Sequence, residues 1–251
     1  MILPSQTEGQ ILAELDQDYN WIASRAKKEA KKYMAKIQKT GLIKKSYQYE
    51  CRMTSPNNNR WFIGIDINML RRQKVYFSCN CSAESAHGNL DYYMLRGHTF
   101  GGKYFVRVTS HVIKRIKERG PLFEHLNGNQ ICTQIFLNGE EGSGMKLTDH
   151  RFIRFLDNAE DCDNVCILLT TSLGIFFSYH TPGNNCVIKT FINPQMIKGE
   201  IEKEICNYCM AGYIVLNRTR FPAEAIEGSM RVMESYRDKY DMPPIGYCFP
   251  E

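Results

Sequence analysis

In the segment VTSHVIKRIKERG, His111 is followed by Arg115 four residues later and by Arg119 four residues after that. At roughly 100° per residue along a helix, His111, Arg115 and Glu118 fall within about 60° of one another. Arg119 lies at the edge of this set, and Val112, Ile113 and Ile116 take the opposite side. One imidazole and two guanidiniums on a shared face suit a phosphodiester. Histidine gives or takes a proton near neutral pH, and arginine forks hold non-bridging oxygens and stabilise the added charge of a phosphorane. Such chemistry needs no metal. The same spacing also fits a solvent-facing helix in which Glu118 pairs with Lys114 or Arg115.

Two further residues are candidates for the same chemistry. His180 ends the strand-like segment GIFFSYH beside the turn sequence TPGNN, a place from which a second acid or base can act. Lys189 and Thr190 alternate along CVIKTFI, so only one of the two points to a given side of the sheet.

The ten cysteines include a C-x-x-C at Cys206 and Cys209, a C-x-C at Cys79 and Cys81, and the pair Cys162 and Cys166. A structural zinc site wants four ligands in two knuckle-like pairs, and that spacing is missing, so the thiols read as buried and reduced. The chain contains no phosphate-binding glycine loop, no dinucleotide fingerprint, no nucleophile elbow and no H-E-x-x-H helix. No cofactor is expected.

The net charge of +5 is modest, but ten Lys or Arg lie between Arg25 and Arg52. Arg25, Lys28, Lys32 and Lys36 recur at helical spacing there, a pattern that tracks phosphates. The other reading is a solvated helix face with Glu14, Asp18 and Glu29 interspersed. Tyr47, Tyr49, Tyr92, Tyr93 and Phe105 can stack on bases if exposed, although alternating aromatics in strands more often fill a core. The apolar stretch from Val165 to Tyr179 is interrupted by Thr, Ser and Gly and is too short for a bilayer, and the polar start lacks an export signal. A cytoplasmic protein with no membrane association is the expectation.

These side chains must be positioned by an α+β fold: antiparallel sheet with a long N-terminal helix, a short central His/Arg helix and two C-terminal helices. Apolar residues at spacings of three and four from Ile11 to Ile37 predict the first helix, over Glu8 to Lys39, with Trp21 in its apolar stripe. After Gly41 the pattern turns to alternation: SYQYECRM and RWFIGIDI across SPNNN read as a hairpin, and KVYFSCNCS, LDYYML and KYFVRVT continue it as a meander. Thr109 or Ser110 caps the helix HVIKRIKER, which Gly120 and Pro121 end. A second helix is predicted from Leu122 to Leu137, then strands in MKLTDHRFIRFL, VCILLTT, GIFFSYH and CVIKTFI, and helices over Pro194 to Tyr213 and Pro222 to Tyr240. This suggests a basic helix over 1–45, an α+β core over 46–195 and a helical extension over 196–251, together forming one compact unit.

With these elements in order, VTSHVIKRIKERG resembles the helix of small RelE-type and colicin-type ribonuclease toxins, in which His is followed by Arg at four and at eight. An antiparallel sheet follows that helix in the toxins, with a threonine on a late strand, and LGIFFSYHTPGNNCVIKTFI is similar over those strands. The likeness spans residues 104–195. It implies that His111, Arg115 and Arg119 are active-site positions, with Thr190 and His180 facing them from the sheet. The implied activity is metal-independent RNA cleavage through attack of the 2′-hydroxyl, and the implied partners are RNA and an inhibitory protein. The whole chain is also similar to proteins of gut Bacteroidales in which a like helix precedes a TF[IV]-type strand and a helix, a likeness that implies no activity. A non-catalytic protein that binds nucleic acid or another protein is the alternative.

Overall fold

The computed structural model describes residues 1–40, 46–68, 74–84, 88–97, 103–120, 123–139, 144–147, 166–171, 174–181, 185–192, 199–216 and 221–240. The protein is α+β, as expected. It divides into two compact units that interleave along the chain: Met1–Ile113 with His125–Leu137, and Lys114–Glu124 with Asn138–Glu251. That division differs from helix, core and extension because the N-terminal helix packs directly on the meander.

In the first unit α1 (Glu8–Thr40) precedes β1 (Ser46–Thr54), β2 (Arg60–Asn68), β3 (Lys74–Glu84), β4 (Leu90–Gly97) and β5 (Lys103–Val108). Each strand pairs antiparallel with the next, so the meander forms as its turn signals predict. The β1–β2 turn closes through the Ser55 amide to the Asn59 carbonyl (2.9 Å), with Asn58 at a φ of 61°, a left-handed conformation that Asn tolerates. Alternation sorts β2 into two buried faces. Trp61, Ile63, Ile65 and Ile67 join Ile11, Leu15, Ile22 and Ala26 of α1 in one core. Gly64 turns to the other face, against Thr133 of α3 (Gly128–Gly139). The sheet of this unit is therefore covered on both sides, which is why β2 reads as a nearly continuous apolar run.

Two sequence expectations change here. Asp18 is not a solvated residue of the basic face: it is 1% exposed on the buried side of α1. Its carboxylate accepts hydrogen bonds from Asn57 Nδ2 (2.8 Å), Asn59 Nδ2 (2.9 Å) and Trp61 Nε1 (2.9 Å), which tie the β1–β2 turn to the helix. Burial pushes this carboxyl up, but hydrogen bonds from Ser55, Trp61, Asn59 and Asn57 outweigh it and hold the group below its ordinary value. The second change is at α3, which starts at Gly128 instead of Leu122. The Gln130 amide donates to Asn127 Oδ1 (3.1 Å) and the Asn127 amide donates to Gln130 Oε1 (3.0 Å), a reciprocal cap that fixes the start.

In the second unit β6 (Gly144–Leu147), β7 (Cys166–Thr171), β8 (Gly174–Thr181) and β9 (Asn185–Ile192) pair antiparallel in sequence order. The remainder of the predicted strand MKLTDHRFIRFL and Pro182 to Asn184 of the β8–β9 turn lie outside the described residues. An irregularity at Phe177/Ser178 lets β9 run past β8 by one residue, so that Thr190 pairs with Phe177 and Ile188 with Ser178. Helices α4 (Glu200–Leu216) and α5 (Ala223–Tyr240) pack on each other, and α4 also packs on β7. α4 is described from Glu200 onward, whereas apolar spacing predicts a start near Pro194. Among the described residues no helix is long and apolar enough to cross a membrane.

Candidate functional site

The His/Arg helix forms as α2 (Ser110–Arg119). Thr109 caps it as the sequence predicts: its Oγ1 accepts from the Val112 amide (3.4 Å) and its carbonyl from the Ile113 amide (3.1 Å). A second cap comes from Asp91, whose Oδ1 accepts from the Ser110 amide (3.0 Å). The other Asp91 oxygen accepts from Arg107 Nε (2.9 Å) and Nη2 (2.6 Å), and Arg107 Nη1 reaches Glu8 (2.8 Å). Asp91 is 6% exposed, and its negative charge also meets the positive end of the helix. Burial pulls the Arg107 guanidinium down, but Asp91, Tyr93 and Glu8 outweigh it and raise it above its ordinary value. Burial pushes the neighbouring Tyr93 phenol up to about 12.

Nothing in the periodicity of the sequence marks Asp91 or Arg107, because the pair is made across β4 and β5. Asp91→Asn keeps an oxygen for the Ser110 amide but turns an amide toward Arg107. We expect it to lower stability by about 2 kcal/mol. Urea unfolding measures the loss, and an unmoved Ser110 amide resonance shows whether the cap survives; a loss under about 0.5 kcal/mol removes Asp91 as the anchor of α2.

Along α2, Val112, Ile113 and Ile116 are buried and His111 is exposed. Arg115 Nη1 meets Glu118 Oε2 at 3.1 Å, and Lys114 Nζ lies 4.0 Å from Glu118 Oε1. These are exposed helical pairs, each contributing under about 1 kcal/mol and open to exchange for another anion. Arg119 turns from that face and donates through Nη1 to the Phe191 carbonyl of β9. Burial and the charge of Arg115 hold its guanidinium below the ordinary value. Arg119 thus sits against β9 one residue from Thr190, which is half-buried. His180 pairs with Cys186 while Thr190 pairs with Phe177, so along β8 the two register positions are three residues apart and of opposite parity. The bulged position between Ile188 and Thr190 is Lys189, which is exposed.

The basic residues of α1 lie on its outer side. Arg25, Lys28, Lys32 and Lys36 are all exposed and fall within roughly 80° around the helix, along about 16 Å of its length. Arg25 lies over the ring of Trp21, 5.6 Å from its centroid, and Lys32 meets Glu29 at 2.6 Å. Trp21 is therefore half-buried beneath a cation, while Trp61 is the tryptophan in the core.

Of the aromatics, Tyr92, Tyr93 and Phe105 are buried, and Tyr49 stacks on Tyr33 of α1 with ring centroids 4.5 Å apart. Cys79, Cys81, Cys132 and Cys186 are buried free thiols and Cys51 is half-buried. Burial pushes Cys79 and Cys81 up to about 12, so they stay protonated at neutral pH. Cys166 begins β7, Cys206 and Cys209 lie within α4, and Cys162 lies outside the described residues. Among the described residues no group of three or more His, Cys, Asp or Glu is gathered as a metal would require. Comparison with protein families, with curated proteins and with solved structures yields no match to this chain.

Proposed function

We propose that this protein binds RNA through the phosphate backbone, without base-specific readout, using the exposed face of α1. The observation that carries this reading is the stripe of Arg25, Lys28, Lys32 and Lys36, four exposed cations at successive turns. A polyanion releases condensed counterions when it meets such a stripe, so affinity falls steeply with salt. Arg25 is already stiffened by Trp21, which lowers the cost of ordering it. A fluorescein-labelled unstructured RNA titrated at several salt concentrations tests this. Four phosphate contacts give a slope of log affinity against log salt of about −3, and Lys28→Gln with Lys36→Gln reduces it to about −1.5. An unchanged slope in the double variant removes the stripe from the interface.

A second reading is metal-independent RNA cleavage at α2, in a toxin-like enzyme held in check by an inhibitory protein in the cytoplasm. It is favoured by the exposure of His111 one turn before Arg115, which leaves the imidazole open to a substrate. In this reading a 2′-hydroxyl gives up its proton as its oxygen bonds to phosphorus. The P–O5′ bond then breaks, and the departing oxygen is protonated, leaving a 2′,3′-cyclic phosphate. His111 supplies the acid or base and Arg115 and Arg119 steady the phosphate; of Thr190 and His180, whose register positions have opposite parity, only Thr190, next to the Arg119 contact on β9, joins them in this reading. The same RNA incubated in excess EDTA and resolved on a denaturing gel distinguishes the readings. Cyclic-phosphate products that vanish in His111→Ala establish cleavage; intact RNA leaves binding alone.

A further inference from the structure

Within the first unit, the segment leading into α1 borders a cavity of about 280 Å³ together with the end of β3, the start of β4 and the end of β5. Its charges come from Glu8, Glu84, Asp91 and Arg107, and Ile11 and Ala83 give it an apolar wall. Three carboxylates against one guanidinium leave a surplus of two negative charges. The guanidinium is moreover already matched, since Asp91 accepts from its Nε and Nη2 and Glu8 from its Nη1. Glu84 is exposed and meets no cation among the described residues. Tyr93 is a separate observation. Its side chain lines the cavity although the residue is only 2% exposed, and among the described residues its hydroxyl has no hydrogen-bond partner. Unlike the oxygens of Asn80 and Thr181, that hydroxyl is not sealed within the protein, so it opens on the cavity. Burial pushes the phenol up to about 12, which keeps it neutral, with lone pairs to accept and one proton to give. A buried hydroxyl without a partner is costly, and a ligand that bonds to it removes that cost.

We propose that this cavity binds a small primary alkylammonium ion, which donates to the Tyr93 oxygen, takes Glu8 and Glu84 as counter-charges and lays a short apolar stem against Ile11 and Ala83. Such an amine is protonated at neutral pH, as a lysine side chain is. An anion meets a surplus of its own sign. The positive end of α1 does border the cavity, but it is already answered by Glu8 in the first turn and by the Thr7 hydroxyl, which accepts from the Gln10 amide (3.4 Å). A bare metal ion wants its ligands gathered around one point, and among the described residues these carboxylates are not so gathered. A phosphate backbone is repelled here, which separates the cavity from the Arg25 to Lys36 stripe further along the same helix.

The test is isothermal titration calorimetry of the full chain at low salt with butylammonium, tetramethylammonium, butyrate and magnesium. Butylammonium is expected to bind at least about tenfold more tightly than tetramethylammonium, which has the charge but no N–H to give. Butyrate and magnesium give no heat. Tyr93→Phe weakens butylammonium about tenfold, while its urea midpoint without amine stays that of the parent because no bond within the protein is lost. Glu84→Gln, on an exposed charge, weakens it about threefold, and Glu227→Gln on α5 leaves it unchanged. A blocked Gly-Lys-Gly peptide presents the same ammonium from a protein side chain. The proposal is overturned if no amine binds, if butyrate or magnesium binds as well as butylammonium, or if the peptide binds more than about tenfold tighter, which would make the ligand a partner's lysine. It is equally overturned if Tyr93→Phe binds like the parent or unfolds at lower urea.

Discussion

Asp18→Ala is expected to lower the stability of the protein by about 4 kcal/mol, because it removes the shared acceptor of a buried network. Asn57, Asn59 and Trp61 all donate to this one carboxylate within 2.9 Å. With an alanine there, the Asn59 amide and the Trp61 indole N–H face apolar surroundings, since Asn59 and Trp61 are themselves buried. Asp18→Asn keeps the volume but brings two donors against three donors, so it recovers less than half of the loss.

The sign of the pH dependence follows from the direction of the shift. The folded-state carboxyl lies below its unfolded value, so its contribution is complete above the ordinary carboxylate range and disappears as pH falls through the lowered value. Urea unfolding followed by tryptophan fluorescence at neutral pH and at progressively acid pH measures both effects. A loss under about 1 kcal/mol in Asp18→Ala, or an acid limb unchanged from the parent, means the network does not hold the turn to the helix.

The second large effect lies on the opposite face of the same sheet. A Cβ on Gly64 would collide with Thr133 Cγ2 and stand 2.8 Å from Thr133 Oγ1 and 3.0 Å from Ser78 Oγ. Gly64→Ala is therefore expected to cost about 3 kcal/mol through overpacking. Thr133→Ala costs about 2 kcal/mol for a different reason: its hydroxyl accepts from Ser78 (2.9 Å) and Asn80 (3.2 Å), so Ser78 loses this acceptor and Asn80 Nδ2 is left with the Asn129 carbonyl (3.1 Å). Combining the two opens the space that the new methyl needs, so the double variant should lose at least about 1 kcal/mol less than the sum. Strict additivity in the denaturation cycle would show that the close approach of α3 to β2 is not what requires glycine at position 64.

These two sites also show what local pattern does and does not reveal. Three-and-four spacing delineates α1 almost to the residue, and SPNNN announces the first hairpin, because both are settled by neighbours in the chain. Asp18 defeats the same reasoning: its place on the wheel is legible, but its donors lie some forty residues away, in the β1–β2 turn and at the start of β2. The start of α3 was available in the sequence as Asn127 and Gln130 at capping-box spacing, a signal outweighed by the apolar residues before it. On the candidate site, the wheel correctly separates His111 and Arg115 from the apolar side of α2. It cannot show that Arg119 finds a carbonyl on β9, nor that an irregularity opposite Lys189 sets the parity of Thr190 relative to His180. Those depend on strand register, which no short-range spacing encodes.

The interleaving of the two compact units bears on the order in which the chain can mature. Residues 1–113 carry every strand of the first unit, yet the cover for the Gly64 and Ser78 side of its sheet arrives only with α3 at residues 128–139. A chain emerging from the ribosome thus presents a meander with one dry face and one wet face until α3 has cleared the exit. Between those two moments it also synthesises residues 114–124, which belong to the other unit and must wait for β9, some seventy positions later. Each unit closes over a segment supplied after the chain has already visited its neighbour, so no single cut between them releases either one whole.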